Sequence, residues 1–279
     1  MPKPQGRCIF CGGLGLTKEH VLPDWMRAIF PRLPDDSHSI RFEHWPDVMG
    51  EVVDSRTIEH SLRGTRPTQF SRKVGQGHIG SKKIRAVCKA CNNGWMGKLE
   101  EAAKPILEAL IYGYPLNLGP SGQGVLARWI AKTTMTAEFM VPSQVAIKPW
   151  EREALRLSTQ GLPHWQIWVG FYSGMELQSG GIFHHTVGLY HPSKVSIGVK
   201  NTQFTVLFLG RLFAFCISSE NDRLAFQVGD EMKRAVRRLW PSDAAIVSWP
   251  PEASIDDRGA VALENMLGAL LGTPVFGDA

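Results

Sequence analysis

The segment Cys88–Met96 reads CKACNNGWM, and it decides how the fold of this chain is interpreted. An earlier segment, Cys8–Cys11, carries a second CxxC pair. Four thiolates arranged in two such pairs satisfy a tetrahedral Zn²⁺ ion. A thioredoxin-like redox role is disfavoured, because turn residues and not a βαβ unit flank both pairs. The sequence therefore predicts one structural zinc site, formed by Cys8, Cys11, Cys88 and Cys91.

Three further polar residues lie close to these pairs. Glu19 and His20 follow the first pair and precede Val21-Leu22-Pro23, and Asn92 follows the last cysteine directly. A carboxylate, an imidazole and an amide in one small module can bind a hard cation and deprotonate a water. Each also has an ordinary interpretation, since acidic-His dipeptides occur by chance and Asn is a preferred helix N-cap.

The order CxxC, acidic-His-apolar-x-Pro, CxxC-Asn resembles the HNH nucleases, also called His-Me finger or ββα-metal nucleases. The resemblance is strongest to their zinc-stapled branch, typified by the phage resolvase endonuclease VII. The stretch Cys88–Glu100 is also similar to bacterial and phage proteins identified as HNH endonucleases. The resemblance covers the chain up to about residue 100, and nothing similar is found beyond it.

This resemblance implies a role for each of the three residues. Glu19 would bind a catalytic Mg²⁺ or Mn²⁺ ion, Asn92 would complete that metal site, and His20 would be the general base. The family more often has Asp at the position of Glu19. Many members also carry a middle Asn before the second cysteine pair, whereas this region has no Asn; either Gln76 or His78 substitutes for it, or the role is absent.

The positive charge of the chain is concentrated between the cysteine pairs. Residues 55–91 carry nine basic side chains and one acidic side chain, a net charge of +8, while the other 242 residues sum to −3. Such a block is typical of a surface that binds a phosphate backbone, although a solvated Lys- and Arg-rich loop is the simpler alternative. The candidate nucleic-acid-binding residues in it are Arg72, Lys73, Lys82, Lys83, Arg85 and Lys89.

Composition predicts a globular protein of the cytoplasm. The chain has 279 residues, is 43% hydrophobic and contains nine tryptophans. Four of its five cysteines lie in CxxC pairs, which suits a reducing compartment. The N-terminal residues lack the apolar stretch of a signal peptide, and the longest apolar run, residues 205–217, is broken by Arg211 and is too short to span a membrane.

The elements predict an α+β fold in two parts. Residues 1–112 would form the zinc-stapled ββα-metal module, with a basic insertion at about 31–86 containing a hairpin or a substrate-contacting arm. Residues 120–279 would form an α+β domain with a mainly antiparallel sheet, because strands predicted at 204–210 and 212–218 follow each other across a turn. Residues 233–240 are predicted to be helical.

The function predicted from these observations is metal-dependent endonuclease activity on DNA. The main alternative is a zinc-dependent nucleic-acid-binding or scaffold protein whose nuclease site has decayed, and a ribonuclease is the third. DNA is favoured over RNA as the partner. The C-terminal domain is expected to mediate homodimerisation, partner recognition or substrate choice.

Overall fold

The computed structural model describes residues 6–30, 40–44, 48–49, 68–70, 82–140, 145–158, 162–187, 189–190, 200–220, 230–261 and 263. The α-helices are α1 Met26–Ile29, α2 Lys89–Cys91, α3 Gly97–Tyr112, α4 Pro120–Ala137, α5 Pro149–Leu157 and α6 Asp230–Ala235. The strands are β1 Leu16–His20, β2 Ile40–His44, β3 Val48–Met49, β4 Thr68–Phe70, β5 Lys83–Cys88, β6 Leu116–Leu118, β7 Trp165–Tyr172, β8 Gly181–Val187, β9 Leu189–Tyr190, β10 Thr202–Leu209, β11 Leu212–Ser219, β12 Val236–Trp240, β13 Val247–Trp249 and β14 Ser254–Ile255.

One eight-stranded sheet dominates the structure. Its main order is β12-β7-β11-β10-β8-β2-β4, and β14 also pairs with β7. Two pairings are parallel, β2 with β8 and β14 with β7, while the others in this sheet are antiparallel. Helices and antiparallel strands are thus combined in one chain, which confirms the α+β class and the mainly antiparallel sheet.

The centre of the sheet is a hairpin formed by β10 and β11. Every residue of both strands is buried, because the sheet is covered on both faces. This double burial explains why the hairpin appears in the sequence as one long apolar run and not as an alternating pattern. Gly210 makes the turn with a φ of +59°, and a Cβ there would lie 2.6 Å from the Ile111 carbonyl oxygen. The predicted hairpin is confirmed.

Two long helices connect the sheet to the N-terminal module. Leu99, Ala103, Leu107 and Leu110 are buried along one face of α3, at the three- and four-residue spacing of an amphipathic helix. These residues belong to a single apolar core that also contains the cysteines near the N-terminus, the buried face of α4 and one face of the large sheet. The domain boundary expected at residues 113–119 stays a prediction, and apolar packing continues across it.

One expectation about local structure is wrong. Residues 233–240 are not one helix, because α6 ends at Ala235 and β12 begins at Val236. Pairing with β7 overrides the helical propensity of this segment and buries Val236 and Leu239. Within the basic insertion, β2 and β4 pair antiparallel with each other and extend the large sheet beyond β8; the expected hairpin or arm stays a prediction.

None of the described helices has both the length and the apolar character needed to cross a bilayer.

Candidate metal centre and active site

The four cysteines of the two CxxC pairs converge on one point. The sulfur atoms of Cys8, Cys11, Cys88 and Cys91 all lie within 4.8 Å of one another. The Cys11 and Cys88 sulfurs are 3.6 Å apart, too far for a disulfide. A tetrahedral zinc site with Zn–S bonds of about 2.3 Å requires sulfurs about 3.8 Å apart, so the arrangement fits one metal ion such as zinc.

Backbone hydrogen bonds place the first pair against the second. A tight turn joins the Cys8 amide to the Gly13 carbonyl at 2.8 Å, and the Gly12 amide to the Cys8 carbonyl at 2.9 Å. Gly12 has a φ of +68°, a conformation that favours glycine in such a turn. The Ile9 amide then donates to the Ala86 carbonyl of β5 at 2.9 Å, which holds the turn beside the strand that ends at Cys88.

The thiols differ in how readily they would ionise. Burial opposes the thiolate of Cys88, but hydrogen bonds from the Cys91 backbone and from neighbouring thiols prevail and lower its pKa to about 7. Burial raises the pKa of Cys91. A thiolate at Cys88 is the form in which cysteine binds a metal.

Strands β1 and β5 form a separate two-stranded antiparallel sheet next to this cluster. Leu16 pairs with Cys88, and His20 pairs with Lys83 at the other end. Successive side chains of a strand point to opposite faces. Glu19 is accordingly buried while His20 is partly exposed, so the carboxylate and the imidazole lie on opposite sides of β1.

His20 lies beside an acidic residue that sequence reasoning missed. Its Nε2 atom is 3.3 Å from Oδ1 of Asp24, although the two atoms do not form a hydrogen bond. Partial burial, followed by the charge of Lys83, lowers the pKa of His20. The ring is thus neutral at pH 7, the form in which an imidazole can accept a proton.

Glu19 is buried, and nearby charges act on its carboxylate. The residue is 5% exposed. Burial raises its pKa to about 7; the charge of Lys132 acts to lower this pKa and that of Glu100 to raise it. Nζ of Lys132 is itself bonded to Oε1 of Glu100 at 2.7 Å.

Asn92 lies where the chain passes from the zinc cluster into helical structure. It begins a widened turn, Asn92–Met96, that leads into α3. Its side-chain amide donates a long hydrogen bond of 3.4 Å to the hydroxyl of Thr17. Thr17 and Glu19 are two residues apart on β1, and the pairing of β1 with β5 changes register between them. Asn92 is thus hydrogen-bonded to the strand that carries Glu19.

The basic candidates are only partly described. Arg72 and Lys73 lie outside the described residues. Lys82 is half-buried, whereas Lys83, Arg85 and Lys89 are exposed on β5 and at the start of α2. The exposed basic side chains thus lie along β5 and the start of α2, from Lys83 opposite His20 to Lys89 beside the cysteine cluster.

Sequence reasoning missed Asp24, Glu100 and Lys132. Asp24 is four residues after His20 across a turn, which no sequence pattern marks as a contact. Lys132 offered a faint signal, because a single Lys stands among residues 126–137 of α4, which are mainly apolar or threonine. Its burial at 0% exposure and its contact with Glu100 depend on how α4 packs on α3.

Comparison with known proteins adds no homologue from which the roles of these residues could be transferred. The chain matches no family model, no curated protein and no solved structure.

Proposed function

We propose that this protein is a metal-dependent endonuclease of the HNH type that hydrolyses phosphodiester bonds in DNA. The observation that carries the proposal is the buried carboxylate of Glu19. It is 5% exposed, and it lies on a strand that presents His20 on the opposite face. A buried carboxylate is costly to a fold, and a bound cation offsets that cost.

The order of the surrounding elements also supports the proposal. Strand β1, strand β5 and the helical segment after Cys91 follow the strand, strand, helix order of a ββα-metal module. The cysteine cluster joins the start of β1 to the end of β5 through backbone hydrogen bonds. A zinc ion in this cluster would have a structural role, because four thiolates leave no open coordination position.

The donor set suits a hard divalent cation. Glu19 and Asn92 offer oxygen atoms, which Mg²⁺ and Mn²⁺ prefer. When bound, such an ion would stabilise the charge that develops on the phosphate and the leaving oxygen. Glu19 and Asn92 would hold this ion.

On the face of β1 opposite Glu19, His20 would act as the general base. Its lowered pKa leaves the ring neutral at pH 7, so that it can take a proton from the attacking water. Asp24, whose carboxylate faces Nε2, would orient the ring, a task for which the middle Asn of the family is missing here. Lys83, paired opposite His20, would attract the phosphate backbone to this side.

The test is cleavage of supercoiled plasmid with Mg²⁺ or Mn²⁺. Wild-type protein is expected to nick or linearise the plasmid, and His20→Ala is expected to cut about 10²–10⁴ times more slowly, because the base is lost. His164→Asn is the matched control, since His164 is exposed and lies far along the chain from the site. Zinc content and binding of plasmid should be the same in all three proteins.

Two outcomes would refute this assignment. If wild-type protein cuts neither plasmid nor single-stranded RNA, it is not a nuclease under these conditions, and if His20→Ala cuts at the wild-type rate, His20 is not the base. Cleavage of RNA alone would replace DNA by RNA as the substrate.

A second candidate function is a zinc-dependent nucleic-acid-binding or scaffold protein with a decayed site. The absence of the middle Asn favours it. Retention of Glu19, His20 and Asn92 together favours the nuclease, because a binding module requires none of them. Plasmid binding without cleavage would support this second function over the nuclease.

A further inference from the structure

Helix α5 carries several charged side chains that have no part in the proposed reaction. Two of them fix the helix to the rest of the protein. Arg152 donates to Oε2 of Glu138, directly after α4, at 2.6 Å, and both side chains are almost fully buried. Glu151 accepts a 2.8 Å hydrogen bond from the indole nitrogen of Trp165, at the start of β7. Helix α5 is thus attached by buried contacts both to the end of α4 and to the large sheet.

A third charged side chain of α5 reaches the turn of the first cysteine pair. Nε of Arg156 donates to the backbone carbonyl of Phe10 at 3.2 Å, across 146 positions of sequence. Phe10 lies between Cys8 and Cys11 and is itself 2% exposed. The Arg156 side chain is 27% exposed, and it also donates a 3.5 Å hydrogen bond to Glu153 within α5. Arg156 therefore joins α5 to the turn that supplies two of the four thiols.

The positive charge of Arg156 suits this position. Four thiolates around one Zn²⁺ ion carry a net charge of −2, because each ligand cysteine is deprotonated. The guanidinium is bonded to the residue directly before Cys11, which brings its positive charge close to the cluster. An outer group that fixes the backbone of a ligand and offsets the charge of the site strengthens metal binding. This contribution exists only while α5 is packed in place, because Arg156 reaches Phe10 from that helix.

We propose that Arg156 is a positioning residue of the four-cysteine metal site, and that zinc binding and the packing of α5 stabilise each other through it. The inference rests on the metal site and not on the nuclease assignment. Coupling between two events is reciprocal in free energy, so each favours the other by the same factor. Zinc at the N-terminal cysteines thereby tightens a helix that Glu151 and Arg152 attach to the sheet and to the end of α4.

The first measurement is the zinc affinity of the full chain, by competition with a chromophoric zinc chelator. Arg156→Met is expected to weaken zinc binding about 10-fold, at the lower end of the range typical of groups that support metal ligands. Arg156→Lys should restore most of the affinity, because Lys keeps the positive charge and can donate to one carbonyl. Position 156 is partly exposed, so both variants are expected to fold, and their melting temperatures with zinc check this.

The second measurement is amide hydrogen exchange of residues 153–158 with and without zinc. Removal of zinc from wild type should speed exchange in this segment, and in Arg156→Met the effect of zinc should largely disappear. Reciprocity adds a quantitative check, since the factor by which zinc slows exchange in wild type should equal the factor lost in zinc affinity. General destabilisation would instead speed exchange equally with and without zinc.

An exposed hydrogen bond at the same turn provides the matched control. Nη1 of Arg7 donates to the Gly12 carbonyl at 3.0 Å, a contact made within the N-terminal module. Arg7→Met also removes a positive charge near the cluster but leaves the bond from α5 in place. Zinc should therefore slow exchange of residues 153–158 in this variant as much as in wild type.

Three results would count against the proposal. Wild-type zinc affinity in Arg156→Met would show that Arg156 does not support the site. Weaker zinc binding with an unchanged effect of zinc on α5 would overturn the coupling. Absence of bound zinc in wild-type protein would overturn the metal site itself, and with it this inference. Plasmid cleavage, present or absent, bears only on the proposed nuclease activity.

Discussion

At the scale of single residues, the buried environment of Glu19 determines its protonation more than its residue type does. The resemblance to HNH nucleases marked Glu19 as a ligand, but an isolated acidic-His pair does not reveal burial. The structure places the carboxylate in the interior, where its pKa is raised to about 7 because burial disfavours the charged form. The residue is thus poised to lose its proton near neutral pH, and a divalent cation would drive that loss further.

This environment predicts a pH-dependent cost to the fold. Because the pKa of Glu19 in the folded protein lies above its ordinary value, the folded state retains a proton that the unfolded state has lost. Stability should therefore fall as pH rises from about 4.5 to about 7, by an amount on the order of 2–3 kcal/mol. Glu19→Gln removes this titration. The melting temperature of Glu19→Gln relative to that of wild type should therefore rise between pH 5 and pH 8.

Thermal unfolding without divalent ions measures this difference. Glu101→Gln, the exposed neighbour of Glu100, is the control and should follow the wild type at both pH values. Adding Mn²⁺ at pH 8 should stabilise wild type but not Glu19→Gln, because a ligand stabilises only the state that binds it. A constant gap between the Glu19→Gln and wild-type melting temperatures across this range would contradict the expectation.

At the scale of elements, the cluster of four cysteines connects β1 and β5 to the helical segment that follows. This two-stranded sheet is too small to be stable alone, since three strands or packing against a helix are usually needed. The cluster binds the turn before β1 to the end of β5, as the backbone bond from Ile9 to Ala86 indicates. The free energy of zinc binding is therefore expected to contribute directly to the free energy of folding of this module.

Replacing one ligand of this cluster should release the metal. We expect Cys88→Ser to lose the one zinc ion per chain and to lose the ordered pairing of β1 with β5. Cys216→Ser is the matched control, because Cys216 is buried in β11 beside the hydroxyl of Thr134 and takes no part in the cluster. Metal analysis and amide hydrogen exchange of β5 measure both effects. Stoichiometric zinc in Cys88→Ser would show that the four thiols are not its ligands.

At the scale of the whole molecule, charge is distributed unevenly over the surface. The basic excess lies in residues 55–91, and its described, exposed members are Lys83, Arg85 and Lys89. Residues elsewhere are neutral to acidic in sum, and several basic side chains of the C-terminal half are paired with acids, as Arg238 is with Asp243. DNA is therefore expected to approach the face that carries β5.

Salt dependence tests this orientation. Replacing Lys83, Arg85 and Lys89 with Ala in the His20→Ala background should flatten the slope of log affinity against log salt by roughly two to three units, since each phosphate contact contributes about 0.9 on duplex DNA. Replacing Lys233, Arg234 and Arg258, which are exposed elsewhere, should change the slope little. The reverse result would move the phosphate-binding surface to the C-terminal half.

Much of this molecule follows from the sequence alone, because the decisive signals are local. The spacing of the two CxxC pairs predicted that the four cysteines share one site, and the alternation of Glu19 and His20 across β1 follows from strand geometry. The hairpin of β10 and β11 was predictable from two apolar runs around Gly210. Residues 233–240 were not, because pairing with β7 decides their conformation.

Only the tertiary structure decides which charges surround Glu19. Lys132 and Glu100 are separated by 32 positions, and their contact exists because α4 packs against α3 in one shared apolar core. No periodicity or spacing encodes that meeting, since it depends on the angle and register of two helices. Burial then strengthens the interactions between these charges, because the protein interior screens them less than water does. The sequence by itself determined which four cysteines converge and the faces of β1, whereas packing alone determined the electrostatic environment of the proposed active site.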